Sequence, residues 1–427
     1  MTVFLTIVFA ILFFALIMAS IALHEVGHLV PAKLFGVKVT QYFVGFGKTL
    51  WSRTKGGTEY GFKAFPLGGY VRLVGMYPPE KKNARPGWLT RLADQARSYE
   101  YEDIKPEDDG KLMYQKKTWQ KIIIMLGGPA MNILIAFLIF LGLNVFHGTY
   151  QSTLTVASVS ECVVRSDRED QTCTDADPLT PAKEAGVQVG DKLVSFNGVQ
   201  LTSWEQLGDL IRENRDQPAT VVVERGGELI TLPTVETKLN YVPDRLDPTR
   251  YIQAGFFGVS PTSELVHGGP VETVDQMWTM TQQSAVALAS FPVRVYNVAA
   301  DLVTGQPRDV NSPLSIVGAS RVAGEIGVST EMSTSDKAAT WLSLLGSVNL
   351  FVALLNLVPL LPLDGGHIAG AIYEWIKRNL AKLFGKADPG PVDTARALPL
   401  TYFVGGFLLL GGIVLILADI ISPIQLF

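Results

Sequence analysis

His24-Glu25-Val26-Gly27-His28 is the stretch whose residue types and spacing could do chemistry. Two histidines four apart fall on one face of a helix and can share one zinc ion. The glutamate after the first stands where it can take a proton from water. For a chain with five histidines in 427 residues, chance supplies such a match about 0.003 times. The same residues could also form the polar end of a helix, with the rings satisfied by water or backbone carbonyls. Ionisable groups beside an apolar run are costly without partners, which favours the metal. Pro31 is expected to break the helix soon afterwards.

Catalytic zinc takes three protein ligands and leaves a position for water, so a third ligand must come from elsewhere. The candidate is Asp364, in Asn356-Leu-Val-Pro359-Leu-Leu-Pro362-Leu-Asp364-Gly365-Gly366-His367. Pro359 and Pro362 interrupt a helix, and the two glycines after the acid permit close backbone approach. Alone, Asp364 reads equally well as a helix cap. Beside the histidine motif it reads as the third ligand. His367 is a neighbour that packs or orients. Asn356 and Asn132 are polar groups within apolar runs, suited to function or to hydrogen bonds between helices, and Asn356 is taken as a substrate-backbone contact.

The elements that must position these groups lie in a membrane. Residues 2–23, 122–147, 338–363 and 397–418 carry no charge, and each run is long enough to cross the hydrocarbon of a bilayer. The fold class expected is a polytopic α-helical membrane protein with four transmembrane helices. The first run has no basic flank and no Ala-x-Ala-like cleavage site, so it reads as a retained helix. The totals of 36 basic and 40 acidic residues hide an uneven distribution, with 17 bases against 9 acids in 31–121 and 14 against 25 in 146–338. That bias places the first loop in the cytoplasm and the second outside, and Lys377, Arg378, Lys382, Lys386 and Arg396 keep the loop before the last run inside. Both termini then lie outside, with His24, His28 and Asp364 near the cytoplasmic face. No segment has the basic, aromatic character of a nucleic-acid surface.

Residues 41–76 alternate polar and apolar positions, and Lys55-Gly56-Gly57-Thr58 reads as a hairpin turn. A cytoplasmic-side β-hairpin or β-loop is expected there. Its Phe65-Pro66-Leu67-Gly68-Gly69-Tyr70-Val71-Arg72 segment could offer a strand edge to an extended substrate, or be a structural hairpin only. Residues 77–118 read as a polar surface loop or partly disordered insertion. These parts and the first two helices make a region 1–147. A linker, 148–177, holds the two cysteines, Cys162 and Cys173, which form a possible disulfide in an oxidising outer compartment. Residues 178–238 read strand, helix, strand; 239–337 carry amphipathic helical signals at 271–303 that suit packing on that domain or on the membrane surface; 338–427 hold the last two helices. His147 and His267 read as surface residues.

Ala185-Gly186-x-x-x-Gly190-Asp191 followed by Asn197-Gly198 resembles a PDZ domain of bacterial envelope proteases, so an inserted extracytoplasmic PDZ-like α+β domain is expected. The His24–His28 motif and the Asn356–Asp364 element together resemble the site-2 protease family of intramembrane zinc metalloproteases, and Gly127-Gly128-Pro129-Ala130-Met131-Asn132 looks like a further family element. RseP-type regulators commonly carry two tandem PDZ domains, whereas this chain shows one and is more similar to single-PDZ actinobacterial members. The resemblance implies one zinc per chain on His24, His28 and Asp364, and Glu25 as general base and acid. It also implies a glycine-containing β-loop at Gly68, Gly69 and Tyr70 that contacts substrate. The substrates implied are single-span membrane proteins such as anti-sigma factors, cut in or near the bilayer after an upstream site-1-type protease has acted. A metal transporter would carry ionisable ligands in several spans, and 2–23 and 397–418 have none. A zinc protease of soluble substrates would more naturally use a downstream glutamate than Asp364 as third ligand.

Overall fold

The computed structural model describes residues 2–79, 95, 101, 104–165, 168, 170, 172–244, 250–309 and 311–424. The chain divides into two compact units, one of Met1–Leu141 with Val274–Phe427 and one of Gly142–Thr273.

The first unit is built on helices, most of them apolar. These are α1 (Thr2–Leu34) and α2 (Thr118–Phe146), whose last residues enter the second unit, then, beyond the inserted strands and short helices, α5 (Pro270–Thr304), α6 (Ile316–Val328), α7 (Thr334–Leu357), α8 (Asp364–Leu383) and α9 (Leu398–Ile421). Among the described residues five helical stretches are long and apolar enough to cross a membrane: Val3–Leu34, Thr118–Phe146, Pro270–Thr304, Thr334–Leu357 and Thr394–Ile421. That is one more than the four charge-free runs. The additional one, α5, carries Glu272, Asp275, Arg294 and Asp301, so a search for uninterrupted apolar runs passes over it. Its second half packs on α9, with Phe291 edge-on to Phe407 and Val295 and Val298 clustered with Leu415 and Ala418. Phe13 of α1 meets Trp341 of α7 at 5.2 Å between ring centroids, in a core shared with Ala319 and Ala323 of α6. Pro31 does not end α1, which runs on to Leu34. The proline removes one backbone bond, and Phe35 N–H restores the ladder on Pro31 O at 2.9 Å.

Strands β1 (Val39–Lys55) and β2 (Thr58–Leu73) pair antiparallel across the Gly56-Gly57 turn, with Lys55 opposite Thr58. Both strands double back on themselves. Tyr42 is partnered by Val71 on one side and Tyr60 on the other, and Phe43 by Tyr70 and Gly61. Among the described residues the ladder therefore has four segments in the order 49–55, 58–65, 39–46 and 69–73, with 69–73 at one edge. Tyr42 ties the sheet to α1 by donating its hydroxyl to Ala22 O at 2.8 Å. Most of the polar segment 80–103 lies outside the described residues. Residues 104–117, by contrast, are held against the sheet, with Met113 N–H donating to Val74 O and Lys38 paired to the buried Asp108 at 2.7 Å.

In the second unit β3 (Thr149–Val159), β4 (Lys192–Phe196), β7 (Val221–Arg225), β8 (Glu228–Thr231) and β12 (Val259–Val266) form a sheet in the order β12-β3-β4-β7-β8, with β5 (Val199–Gln200) beside β4. Helix α3 (Pro181–Ala185) is capped by Thr180, and α4 (Trp204–Glu213) by Ser203. Short pairs β6 (Pro218–Ala219) with β9 (Val235–Glu236) and β10 (Lys238–Pro243) with β11 (Tyr251–Phe256) complete the unit. Its core is Val156, Leu193, Phe196, Leu207, Val221, Val223 and Phe257. The sheet thus takes in strands on both flanks of 178–238. Cys162 and Cys173 form a disulfide.

Candidate metal centre and catalytic cleft

Alpha-helical spacing carries His24 and His28 to one face of α1, one turn apart, and their Nε2 atoms are 3.2 Å apart. The third group comes from the first residue of α8. Asp364 Oδ2 lies 3.4 Å from His24 Nε2 and 3.3 Å from His28 Nε2. Three potential ligand atoms therefore stand at mutual distances of 3.2–3.4 Å, the spacing that a tetrahedral ion with bonds of about 2.0–2.1 Å imposes on its ligands, about 3.3 Å. Asp364 Oδ2 is buried and has no hydrogen-bond partner. A buried carboxylate oxygen in that state, aimed at two imidazole nitrogens, fits a cation. His28 Nδ1 is 2.8 Å from Ile124 O, a bond that places the proton on Nδ1 and leaves Nε2 free to ligate. The donor set is two imidazoles and one carboxylate, three groups of the types that zinc accepts.

Close helix contact makes the convergence possible. A Cβ at Gly27 would collide with Gly127 O, and one at Gly127 with Gly27 O, so α1 and α2 touch backbone to backbone. One residue on, a Cβ at Gly128 would enter the space of His28 Nε2 and would come within 2.6 Å of His24 Nε2. The apolar Gly127-Gly128 pair, costly in a helix on propensity alone, is explained by this approach. A Gly-Gly inside an apolar helix was the one available sequence signal for it. At the other ligand, Gly365 and Gly366 lie against the backbone of 357–361, which seats the first turn of α8 under the end of α7.

Glu25 faces the edge segment of β2. The Val71 backbone N–H is directed at its carboxylate, and the Cα of Gly69 is so close that a Cβ would stand 3.1 Å from Glu25 Cγ. Gly68 has φ +126°, a conformation that favours glycine. Tyr70 stacks on Phe43 and Phe46 and donates its hydroxyl to Gln41 Oε1 at 3.2 Å. A cleft of about 450 Å³ is lined by His24, Glu25, His28, Gly68, Gly69, Tyr70, Asn356, Asp364 and His367 among others. Every residue singled out on chemical grounds is therefore on one cleft, apart from Asn132 and the two cysteines. Val71 and Gly128 were not assigned roles from sequence, because one acts through its backbone and the other through the side chain it lacks.

The model of Peptidase family M50 matches residues 12–387. The chain belongs to that family, the site-2 metalloproteases. It is 32% identical to the zinc metalloprotease Rip1 of Mycobacterium tuberculosis over 98% of each chain. The corresponding figures are 31% for Rip1 of Mycolicibacterium smegmatis, again over 98% of each chain, and 27% for a putative zinc metalloprotease of Clostridium perfringens over 98% of this chain and 99% of the relative. As a member of the M50 family with five apolar helices, the protein is a membrane metalloendopeptidase.

Proposed function

We propose that this peptidase binds one zinc through His24, His28 and Asp364 and hydrolyses peptide bonds in or near the transmembrane segment of single-span membrane proteins, anti-sigma-factor-like proteins among them. The observation that carries this reading is the meeting of three ligand atoms and Glu25, from the apolar helix α1 and the first residue of α8, beside a strand edge. When bound, the metal supplies Lewis acidity toward a carbonyl and makes water acidic enough to attack near neutral pH. Glu25 takes the water's proton and returns it to the leaving nitrogen. Gly69 and Tyr70 pair with β1 on one side among the described residues, which leaves backbone groups there for an unwound substrate to join as an added strand. Asn356, across the cleft, steadies the substrate backbone.

The second unit acts as a PDZ-like filter outside the membrane, admitting substrates that an upstream site-1-type protease has already trimmed. A groove of about 570 Å³ between β3 residues 150–155 and the start of α4 supports that role. In this reading α1, α2, α7 and α9 cross the membrane and α5 does not, so both termini and the PDZ-like unit are extracytoplasmic and the metal lies near the cytoplasmic face of the cell membrane. The test uses purified full-length protein and a panel of single-span reporters. Glu25→Gln is expected to retain about one zinc per chain and to lose cleavage by about 10²–10⁴-fold, whereas Asp364→Ala is expected to lose zinc. Equal cleavage by wild type and Glu25→Gln would overturn the mechanism.

A further inference from the structure

A second cavity, of about 390 Å³, lies between α1, α2, α7 and the start of α6, lined by Ile17, Ser20, Asn132, Ile316, Ser347 and Asn349 among others. Ile21 and Val352 line both this cavity and the catalytic cleft, so the two adjoin. Its wall is apolar except for a few hydroxyls and the two asparagines, each of which is 2% exposed. Asn349 donates its amide nitrogen to Leu345 O at 2.8 Å and to Ser20 Oγ at 3.2 Å, which fixes the orientation of the amide. Its Oδ1 has no partner, and neither has Asn132 Oδ1.

Two amide carbonyls without donors are expensive within an apolar helix bundle. They are better placed there for a ligand that brings N–H groups than for a lipid chain, which brings none. A transmembrane helix has no spare N–H groups while intact, and gains them when it unwinds. We propose that this cavity is a substrate subsite. It receives apolar side chains from the membrane-embedded stretch adjoining the scissile bond, and Asn132 and Asn349 accept the backbone N–H groups released as that stretch loses its helical bonds. The subsite rests on the reading that the enzyme cuts transmembrane segments. It adds to that reading two residues, Asn132 and Asn349, that hold substrate backbone away from the metal.

The experiment places a benzophenone side chain at Ser347 of full-length, zinc-loaded Glu25→Gln protein, with a second copy at Leu409, 65% exposed on α9, as the control position. Irradiation with a single-span reporter that wild type cleaves is expected to give adducts at position 347 on residues flanking the scissile bond, in several-fold higher yield than at 409. Equal yields, or adducts at 347 confined to lipid, would overturn the subsite. In parallel, Asn349→Leu is expected to lower kcat/KM for that reporter about tenfold, the loss of roughly one hydrogen bond, with zinc content unchanged. Asn349→Gln, which retains a carbonyl, should recover part of that loss. Unchanged kcat/KM in Asn349→Leu also overturns the proposal. If wild type cleaves none of the panel, it is the preceding functional reading that fails. If wild type cleaves and only these two results are negative, the subsite alone fails.

Discussion

Gly128 stands where the smallest side chain would occupy the space of His28 Nε2. The ligand geometry is therefore set partly by an absence on α2, and a methyl group there must displace the imidazole or part the helices. Gly128→Ala is expected to lower zinc affinity by at least about tenfold, as loss of a group supporting a metal ligand commonly does, while helix content stays unchanged. Zinc content after dialysis against a graded chelator, read beside circular dichroism, checks this. Wild-type retention of zinc would show that α2 yields at this point.

Gly69 is the counterpart on the other side of the cleft, since a Cβ there would meet Glu25 Cγ and Phe43 O at 3.1 Å and none of the three proposed ligands. Gly69→Val is expected to push Glu25 out of line and reduce kcat by about 10²-fold or more, with one zinc per chain retained. The contrast between the two glycines is the informative part. Loss of metal at position 128 and loss of turnover with metal at position 69 would separate ligand placement from proton transfer.

The candidate site residues were legible because their spacing is local. His24 and His28 need only the helical repeat, and Asp364 announces itself by following a proline-broken apolar run. The hairpin turn at Gly56-Gly57 was equally local. What escaped depends on pairs distant in sequence. The Gly27–Gly127 contact joins positions a hundred residues apart, and no periodicity within α1 or α2 encodes it. The two-sided pairing of Phe43 with Tyr70 and Gly61 reads in sequence as one long alternating run. Helix α5 was legible as an amphipathic segment, 271–303, but not as a possible span, because its charges interrupt the apolar stretch without shortening the helix.

Asp191 and Arg225 make the inserted unit sensitive to acid. Asp191 is buried and accepts from Arg225 Nε and Nη2, each at 2.7 Å, and from Gln188 N–H at 2.8 Å. The guanidinium first, and the backbone N–H with it, hold this carboxyl below the usual aspartate range. A carboxyl whose folded pKa is depressed stabilises the fold above its unfolded value, about 3.9, and that contribution disappears as pH falls through the folded value. Hydrogen exchange of residues 192–231 in the full chain should therefore be slow and flat between pH 5 and 7, after correction for intrinsic exchange, and protection should fall below about pH 4. Asp191→Asn is expected to cost about 1–2 kcal/mol near neutral pH and to flatten the acid limb. An acid limb as steep as that of wild type would assign the sensitivity to other groups.

Arg308 and Asp419 form the most deeply buried ion pair described, at 2.6 Å with side chains 2% and 1% exposed. Asp419, near the end of α9, also accepts from Ser315 N–H at 2.7 Å and Gly318 N–H at 3.2 Å, so one carboxylate holds the start of α6 to the last helix. Arg308 in turn donates to Pro313 O within the same connection. Removing one partner strands the other charge, whereas removing both leaves only a cavity and some unmet backbone groups. Asp419→Leu alone is expected to destabilise the protein by about 3–5 kcal/mol, and Arg308→Met in the same chain should return a substantial part of that. Unfolding in detergent, followed for the single and double variants, measures the coupling. Additive losses would mean that the two residues act independently and that the N–H bonds to Asp419, not the ion pair, secure α6.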